Sequence, residues 1–363
     1  MRGKIAFRLL RRAAANRFSL VFLSLVLLSV TFFTEPGLSK NAGAHQVRQM
    51  EFGVSGGNSD DFDPQFCCAG TLGSLVTDGT SLFILSNNHV LARSDQATPG
   101  EPISQPGLID NNCNTATVVA NLTTFVPLTS NTVDAALAKL IPGEMTSDGS
   151  ILGVGQISSI PVSASIGLAV EKSGRTTGVT SSSVEAVNTD VKVVYTKRCA
   201  EGKKFAAFYN NQVMVRGKKF SAAGDSGSLI VTNNECHQPV ALLYAGNSNS
   251  TVGNPAQDVL SALGVSFVGN SADCSGAAQA IAGAQFSQLD RFDDALTAKN
   301  ERRNYLMSLP GVLAVGVAAS DTDPTRAAII VYVDQTLGAN TRIPSELDSV
   351  PVQVRLTDPF VAR

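Results

Sequence analysis

The chain contains no tryptophan and only three histidines, His45, His89 and His237. That scarcity nearly excludes a multi-histidine zinc cluster and leaves few places for chemistry that needs an imidazole. Charged residues are also sparse, at 16%, where an average soluble chain has roughly 25%. They nearly balance, with 28 Lys and Arg against 30 Asp and Glu. Phosphate contact needs clustered cations, so nucleic acid is not an expected partner. None of the six cysteines forms a C-x-x-C pair, which leaves a zinc or thioredoxin-type site without support. No apolar run reaches the ~20 residues that a spanning helix usually needs.

The sixteen-residue run Phe18 to Phe33 is preceded by Arg2, Lys4, Arg8, Arg11, Arg12 and Arg17, with no acid among them. A basic leader before a short apolar stretch reads as a secretory signal. The competing readings are an uncleaved N-terminal anchor and a buried core helix, the last disfavoured by six cations without partners. Ala42-Gly43-Ala44 supplies a small-x-small cleavage site, although it lies far from the run. Residues 1–44 are thus expected to be a signal peptide or anchor, which places the rest in a secreted, periplasmic or extracellular setting. Their removal takes away seven cations and one acid and moves the net charge from −2 to −8. In an oxidising compartment the even cysteine count implies disulfides. The expected pairs are Cys67 or Cys68 with Cys113, and Cys236 with Cys199 or Cys274.

From about 66 to 268 the chain is a series of short Val-, Ile-, Leu- and Thr-rich runs cut by turn residues. Such spacing indicates an all-β sandwich or barrel, and two packed barrels fit the length. Residues 271–286 read as a Gly/Ala/Ser-rich linker. Beyond it, Leu289 to Leu309 has helical periodicity, with Leu289, Phe292, Leu296 and Tyr305 or Leu306 on one face. Pro310-Gly311 ends it, and strands are expected at Val312–Ala318, Ala327–Val333 and Val352–Leu356. Residues 287–363 are therefore expected to form a small α+β domain after a domain spanning 45–270.

Three features carry chemistry. Gly224-Asp225-Ser226-Gly227-Ser228 precedes the apolar Leu229-Ile230-Val231. A hydroxyl needs a base to take its proton and donors to hold the oxyanion. Glycines around Ser226 permit a tight turn that leaves the amides of Gly224 and Ser226 free to converge. In Ser86-Asn87-Asn88-His89 a strand runs into a polar turn bearing an imidazole, the natural general base near neutral pH. Val133-Asp134-Ala135-Ala136 sets an acid among small apolar residues, where it is either a helix cap or the carboxylate that orients His89. Taken singly, each has an ordinary structural explanation. Together they stand in the order His, Asp, Ser, which differs from the Asp-His-Ser and Ser-Asp-His orders of subtilisins and α/β-hydrolases.

On these residues the chain resembles a trypsin-like (chymotrypsin-clan) serine peptidase. Cys68-Ala69-Gly70-Thr71-Leu72-Gly73-Ser74-Leu75-Val76 is similar to the strand that precedes the catalytic histidine, and Ser86-Asn87-Asn88 replaces the more usual Thr-Ala-Ala. Lys172-Ser173-Gly174-Arg175-Thr176-Thr177-Gly178 and Pro239-Val240-Ala241-Leu242-Leu243-Tyr244-Ala245-Gly246 resemble a narrower branch, the plant narrow-leaf-type and related bacterial trypsin-like proteins. So do Gly311-Val312-Leu313-Ala314-Val315-Gly316-Val317 and Val350-Pro351-Val352. The resemblance implies a chymotrypsin-like double β-barrel, mainly β, and an exported endopeptidase acting on protein or peptide substrates. Ser226 would be the nucleophile, His89 the acid/base and Asp134 its orienter. Gly224 and Ser226 would supply the oxyanion hole, and no cofactor or metal is implied. Membrane contact is expected only through an uncleaved leader. Two departures matter. Phe220, six residues before the nucleophile, is not an acid and gives no support for cleavage after Lys or Arg. No Arg-Ile-Val-Gly-Gly activation site is present, so Asp225 is expected to be organised by simple folding. The alternative is a non-catalytic binding module on the same fold.

Overall fold

The computed structural model describes residues 42–63, 66–197, 199, 202–270, 289–337 and 342–363. The basic leader, its apolar run and the whole expected linker lie outside these residues. Residues from Lys40 to Arg363 form one compact unit.

Among the described residues the strands gather into two large sheets, as expected for a mainly β chain. The first has eight strands. Their order is Ser266–Phe267, Ser74–Thr77, Leu82–Ser86, Ala136–Leu140, Thr117–Phe125, Pro102–Gln105, Val54–Asn58 and Gly70–Leu72. Its buried apolar side chains, among them Leu75, Ile84, Leu85, Val119 and Leu137, form a single core. The segment Cys68 to Val76, expected to resemble one strand, is split at Gly73 into Gly70–Leu72 and Ser74–Thr77. A Cβ there would lie 1.9 Å from the Gly227 carbonyl oxygen, so only glycine lets the serine-bearing loop come this close.

In the second sheet six strands close into a barrel. Ala169–Gly174, Leu229–Thr232, Pro239–Gly246, Ser250–Pro255, Lys204–Arg216 and Gly178–Thr196 pair in that order, and the last returns to pair with the first. The Gly178–Thr196 strand then continues past the barrel. One edge pairs with Lys204–Arg216 from Val184 to Thr196. The other edge takes Ala169–Gly174, then Val312–Ala319, then Phe360–Ala362.

Through that long strand the C-terminal segment enlarges the barrel's sheet. Val312–Ala319 pairs with Ala327–Asp334, which pairs in parallel with Val350–Thr357. The helix Phe292–Ser308 covers this sheet and buries Ala295, Ala298, Lys299 and Leu306. Leu306 takes the inward position left open between it and Tyr305, which is exposed. Gly311, at φ +77°, makes the stop after the helix.

Cys67 joins Cys113, as expected, but Cys68 joins Cys199 and ties the two sheets together. The expected Cys236–Cys199 alternative is thereby corrected, because the fold brings Cys199 beside Cys68. Cys236 is disulfide-bonded as well, and Cys274 lies outside the described residues.

Lys299 is 2% exposed and ion-paired with Asp190 on the long strand, with Arg303 at 3.9 Å from the same carboxylate. Removing one partner of a buried pair leaves a charge without compensation. Lys299→Ala is expected to lower unfolding free energy by about 3 kcal/mol, measured by urea denaturation of the full chain.

Candidate active site

The site lies where the two sheets meet. Asn87 and Asn88 open the short helix Asn88–Leu91, and their side chains pin it. Asn87 donates to the Asp134 carbonyl at 2.7 Å, and Asn88 to Val126 O at 2.8 Å and Asp95 Oδ1 at 2.6 Å. The departure from Thr-Ala-Ala therefore has a structural content: two buried amides fasten the turn that carries His89.

His89 and Asp134 are brought together. His89 Nδ1 lies 2.6 Å from Asp134 Oδ2, and the His89 backbone amide donates to Oδ1 at 3.3 Å. Asp134 is fully buried, its amide donating to Asn254 Oδ1 at 3.0 Å. The cap explanation for Asp134 does not apply, since it precedes the strand Ala136–Leu140. Burial of the His89 ring opposes its protonation, but the charge and hydrogen bond of Asp134 outweigh it. The Arg363 carbonyl adds to this, and the ring's pKa lies above its ordinary 6.5.

Ser226 is buried at the mouth between the sheets. Its Oγ donates to Tyr244 O at 3.0 Å and accepts from the Arg363 amide at 2.9 Å. Its amide donates to Arg363 O at 3.0 Å, and His89 Nε2 is 3.4 Å from that same oxygen. A peptide carbonyl thus sits between the imidazole and the amide expected in the oxyanion hole. Gly224, at φ +96°, turns the loop as expected, but among the described residues its amide does not share Arg363 O. Among the described residues, too, no hydrogen bond joins Ser226 to His89.

No family model and no curated protein matches the chain. Solved structures with a similar fold include a glutamic-acid-specific serine protease described as using a histidine triad in substrate binding. Its TM-score is 0.42 at 23% identity, over 60% of this chain and 98% of the other. Thermobifida fusca protease A has a TM-score of 0.41 at 16% identity, over 61% and 99%. Cellulomonas bogoriensis chymotrypsin has 0.41 at 15%, over 61% and 99%.

Several residues of the site escaped the sequence. Tyr195 OH lies 2.9 Å from Asp134 Oδ2 and 3.0 Å from Tyr209 OH. It has one proton, which the carboxylate takes, leaving Tyr209 to donate to Tyr195. No local signal marked Tyr195, which reads as one more residue of a strand.

Asp225 is fully buried and held from all sides. It accepts from the amides of Thr176, Thr177 and Ala222 at 2.8, 3.1 and 2.9 Å and from Thr177 Oγ1 at 2.7 Å. Lys172 Nζ, fully buried, lies 3.5 Å from its Oδ2 and also donates to Thr177 Oγ1 and to Gly178 O at 2.9 Å. This internal lysine places a cation beside the buried Asp225 carboxylate. Burial lowers the Lys172 pKa to about 8, against the opposing pull of Asp225.

Beside Arg363 and His89 opens a cavity of about 370 Å³, lined also by Asp61, Cys68, Arg93 and Arg175. Burial raises the Asp61 carboxyl to about 6, with the Arg93 and His89 charges opposing. Of the other histidines, His45 is buried in the folded unit beside Ser173 Oγ at 2.9 Å. His237 lies 3.1 Å from Glu171. Neither joins the site.

A pKa raised by folding means that the His89–Asp134 pair stabilises the fold fully below about pH 6.5, the unfolded value. That contribution fades as pH rises through the folded value. The His89 ring should titrate above 6.5 by NMR, and Asp134→Asn should bring its pKa below that, where burial alone acts.

Proposed function

We propose that this protein is a serine endopeptidase working through an acyl-enzyme. The observation that carries the reading is the placement of the Arg363 carbonyl. It accepts from the Ser226 amide and faces His89 Nε2, while Ser226 Oγ touches the same residue.

In this reading Ser226 Oγ attacks a substrate carbonyl seated where Arg363 O now lies. His89 Nε2 takes the hydroxyl proton and later gives it to the leaving amine. Asp134 holds the Nδ1–H tautomer and stabilises the imidazolium, and Tyr195 keeps the carboxylate oriented. The amides of Ser226 and Gly224 hold the oxyanion once a tetrahedral centre draws the loop inward. Water admitted through the cavity past Arg363 then releases the acyl group. Asp225 holds the serine loop, and with Lys172 already inside, the loop needs no chain cleavage to be set.

The finer kinship with the narrow-leaf-type and bacterial branch rests on the motifs around Lys172, Tyr244 and Gly311. The disulfides and the basic leader support export. Among the described residues no helix is long and apolar enough to cross a membrane. The second reading is a non-catalytic peptide-binding module, favoured by the missing Ser226–His89 hydrogen bond. A serine-directed fluorophosphonate separates the two, because only an activated Ser226 takes the label.

Ser226→Ala should abolish both labelling and peptide hydrolysis. Asp134→Asn should lower kcat by about 10⁴ through the wrong tautomer, and an effect below about tenfold would remove Asp134 from the mechanism. Tyr195→Phe removes one hydrogen bond to a charged group and should cost about tenfold in kcat/KM. As pH rises past 8 Lys172 loses its charge, so kcat/KM should fall with an alkaline limb near that value. Lys172→Met should have a lower plateau and no such limb.

A further inference from the structure

The strand Phe360–Ala362 ends the C-terminal sheet in an unusual place. It leaves that sheet through Asp358, whose carbonyl accepts from Asn247 Nδ2 at 2.9 Å and whose Oδ2 accepts from Ser248 Oγ at 2.7 Å. Phe360 is then fully buried, edge-on to Tyr332 at 5.9 Å between centroids. From that anchor the strand pairs in parallel with Val193 and Val194 and antiparallel with Ala245 and Gly246. Arg363 follows, its amide on Tyr244 O at 3.1 Å and its carbonyl oxygen on the Ser226 amide. This is the lie of an extended peptide whose acyl group is presented to the serine.

We propose that the groove selects peptides with arginine at the scissile carbonyl, and that the chain's own Phe360–Arg363 competes for it; the proposal rests on the peptidase reading above. The Arg363 guanidinium enters a recess beside the serine loop. There Nη1 donates to Ser221 O and lies 3.3 Å from Ser221 Oγ, and Nη2 donates to Asn247 O. Arginine presents five donors in a planar fork, which suits these backbone carbonyls, and the buried Asp225 carboxylate favours its charge. Phe220, whose identity spoke against a basic residue, packs into the barrel core with Leu168, Val170 and Val215. It therefore does not decide the specificity. Gly246 does more, because a Cβ there would lie 2.6 Å from Arg363 Nε and 2.9 Å from Ser250 O. A side chain at 246 would narrow the mouth through which the long stem passes. The tethered segment has an effective concentration on the order of millimolar, so a free peptide binds only by displacing it.

The test uses the full chain and its full-length Arg363→Glu variant. The probes are the labelled peptides Phe-Val-Ala-Arg and Phe-Val-Ala-Glu, read by fluorescence anisotropy, with fluorophosphonate labelling measured in parallel. The arginine peptide should bind the variant about tenfold or more tighter than it binds the parent. It should also bind the variant about tenfold or more tighter than the glutamate peptide does, and labelling of Ser226 should be faster in the variant. Gly246→Val added to the variant should weaken the arginine peptide about tenfold. Equal affinity of the arginine peptide for parent and variant overturns self-occupancy. Equal affinity of the two peptides overturns the arginine pocket. If both preferences appear but Ser226 takes no label, the pocket stands and the peptidase reading is the one that fails.

Discussion

The Gly178–Thr196 strand has two edges, and the division of labour between them organises the molecule. One edge is committed to Lys204–Arg216. The other is shared in succession by Ala169–Gly174, which closes the barrel, by Val312–Ala319, which brings in the C-terminal sheet, and by Phe360–Ala362. A ladder fixes register, because a slip of one residue would turn every buried side chain outward. Closing the barrel therefore also sets where the C-terminal sheet docks and where its last strand lies.

The same strand reaches the chemistry. Tyr195 near its end extends a hydroxyl to Asp134, which rises from the other sheet, and stacks on Phe205 at 5.4 Å. The Cys68–Cys199 disulfide lies just beyond. Under the proposed peptidase reading, His89 and Asp134 from one sheet and Ser226 from the other need their interface held to within a fraction of an ångström. Here a hydrogen-bonded tyrosine, a disulfide and the close approach of Gly73 to Gly227 hold it. The C-terminal segment becomes part of the groove by covering the Tyr244 face and presenting Phe360–Arg363.

Electrostatics in the interior follow one pattern. Lys172 with Asp225 and Lys299 with Asp190 each place a cation and an anion out of water, and each secures a loop or helix against the barrel. Such pairs add little net stability compared with apolar packing, but breaking one is costly, which favours a single arrangement. For Asp225 that arrangement sets the loop carrying Ser226.

Much of this was legible along the chain. Short β-branched apolar runs between turn residues mark buried strands, so the β class, the helix after residue 290 and three of the last strands could be read locally. Ser226, His89 and Asp134 stood out because their residue types are chemically unusual in their settings. Tyr195, Lys172 and the second disulfide could not be read, since each acts on a partner tens of residues away and looks ordinary among its own neighbours. Where Phe220 points could not be read either; it packs into the barrel core. Sequence offset says which residue precedes the nucleophile, whereas the direction of a side chain, into the core or into the groove, is decided by how the barrel closes. The sequence alone thus determined which groups could do chemistry. Only the tertiary structure decided what they face, because pairing of distant strands places the chain's own arginine at its serine.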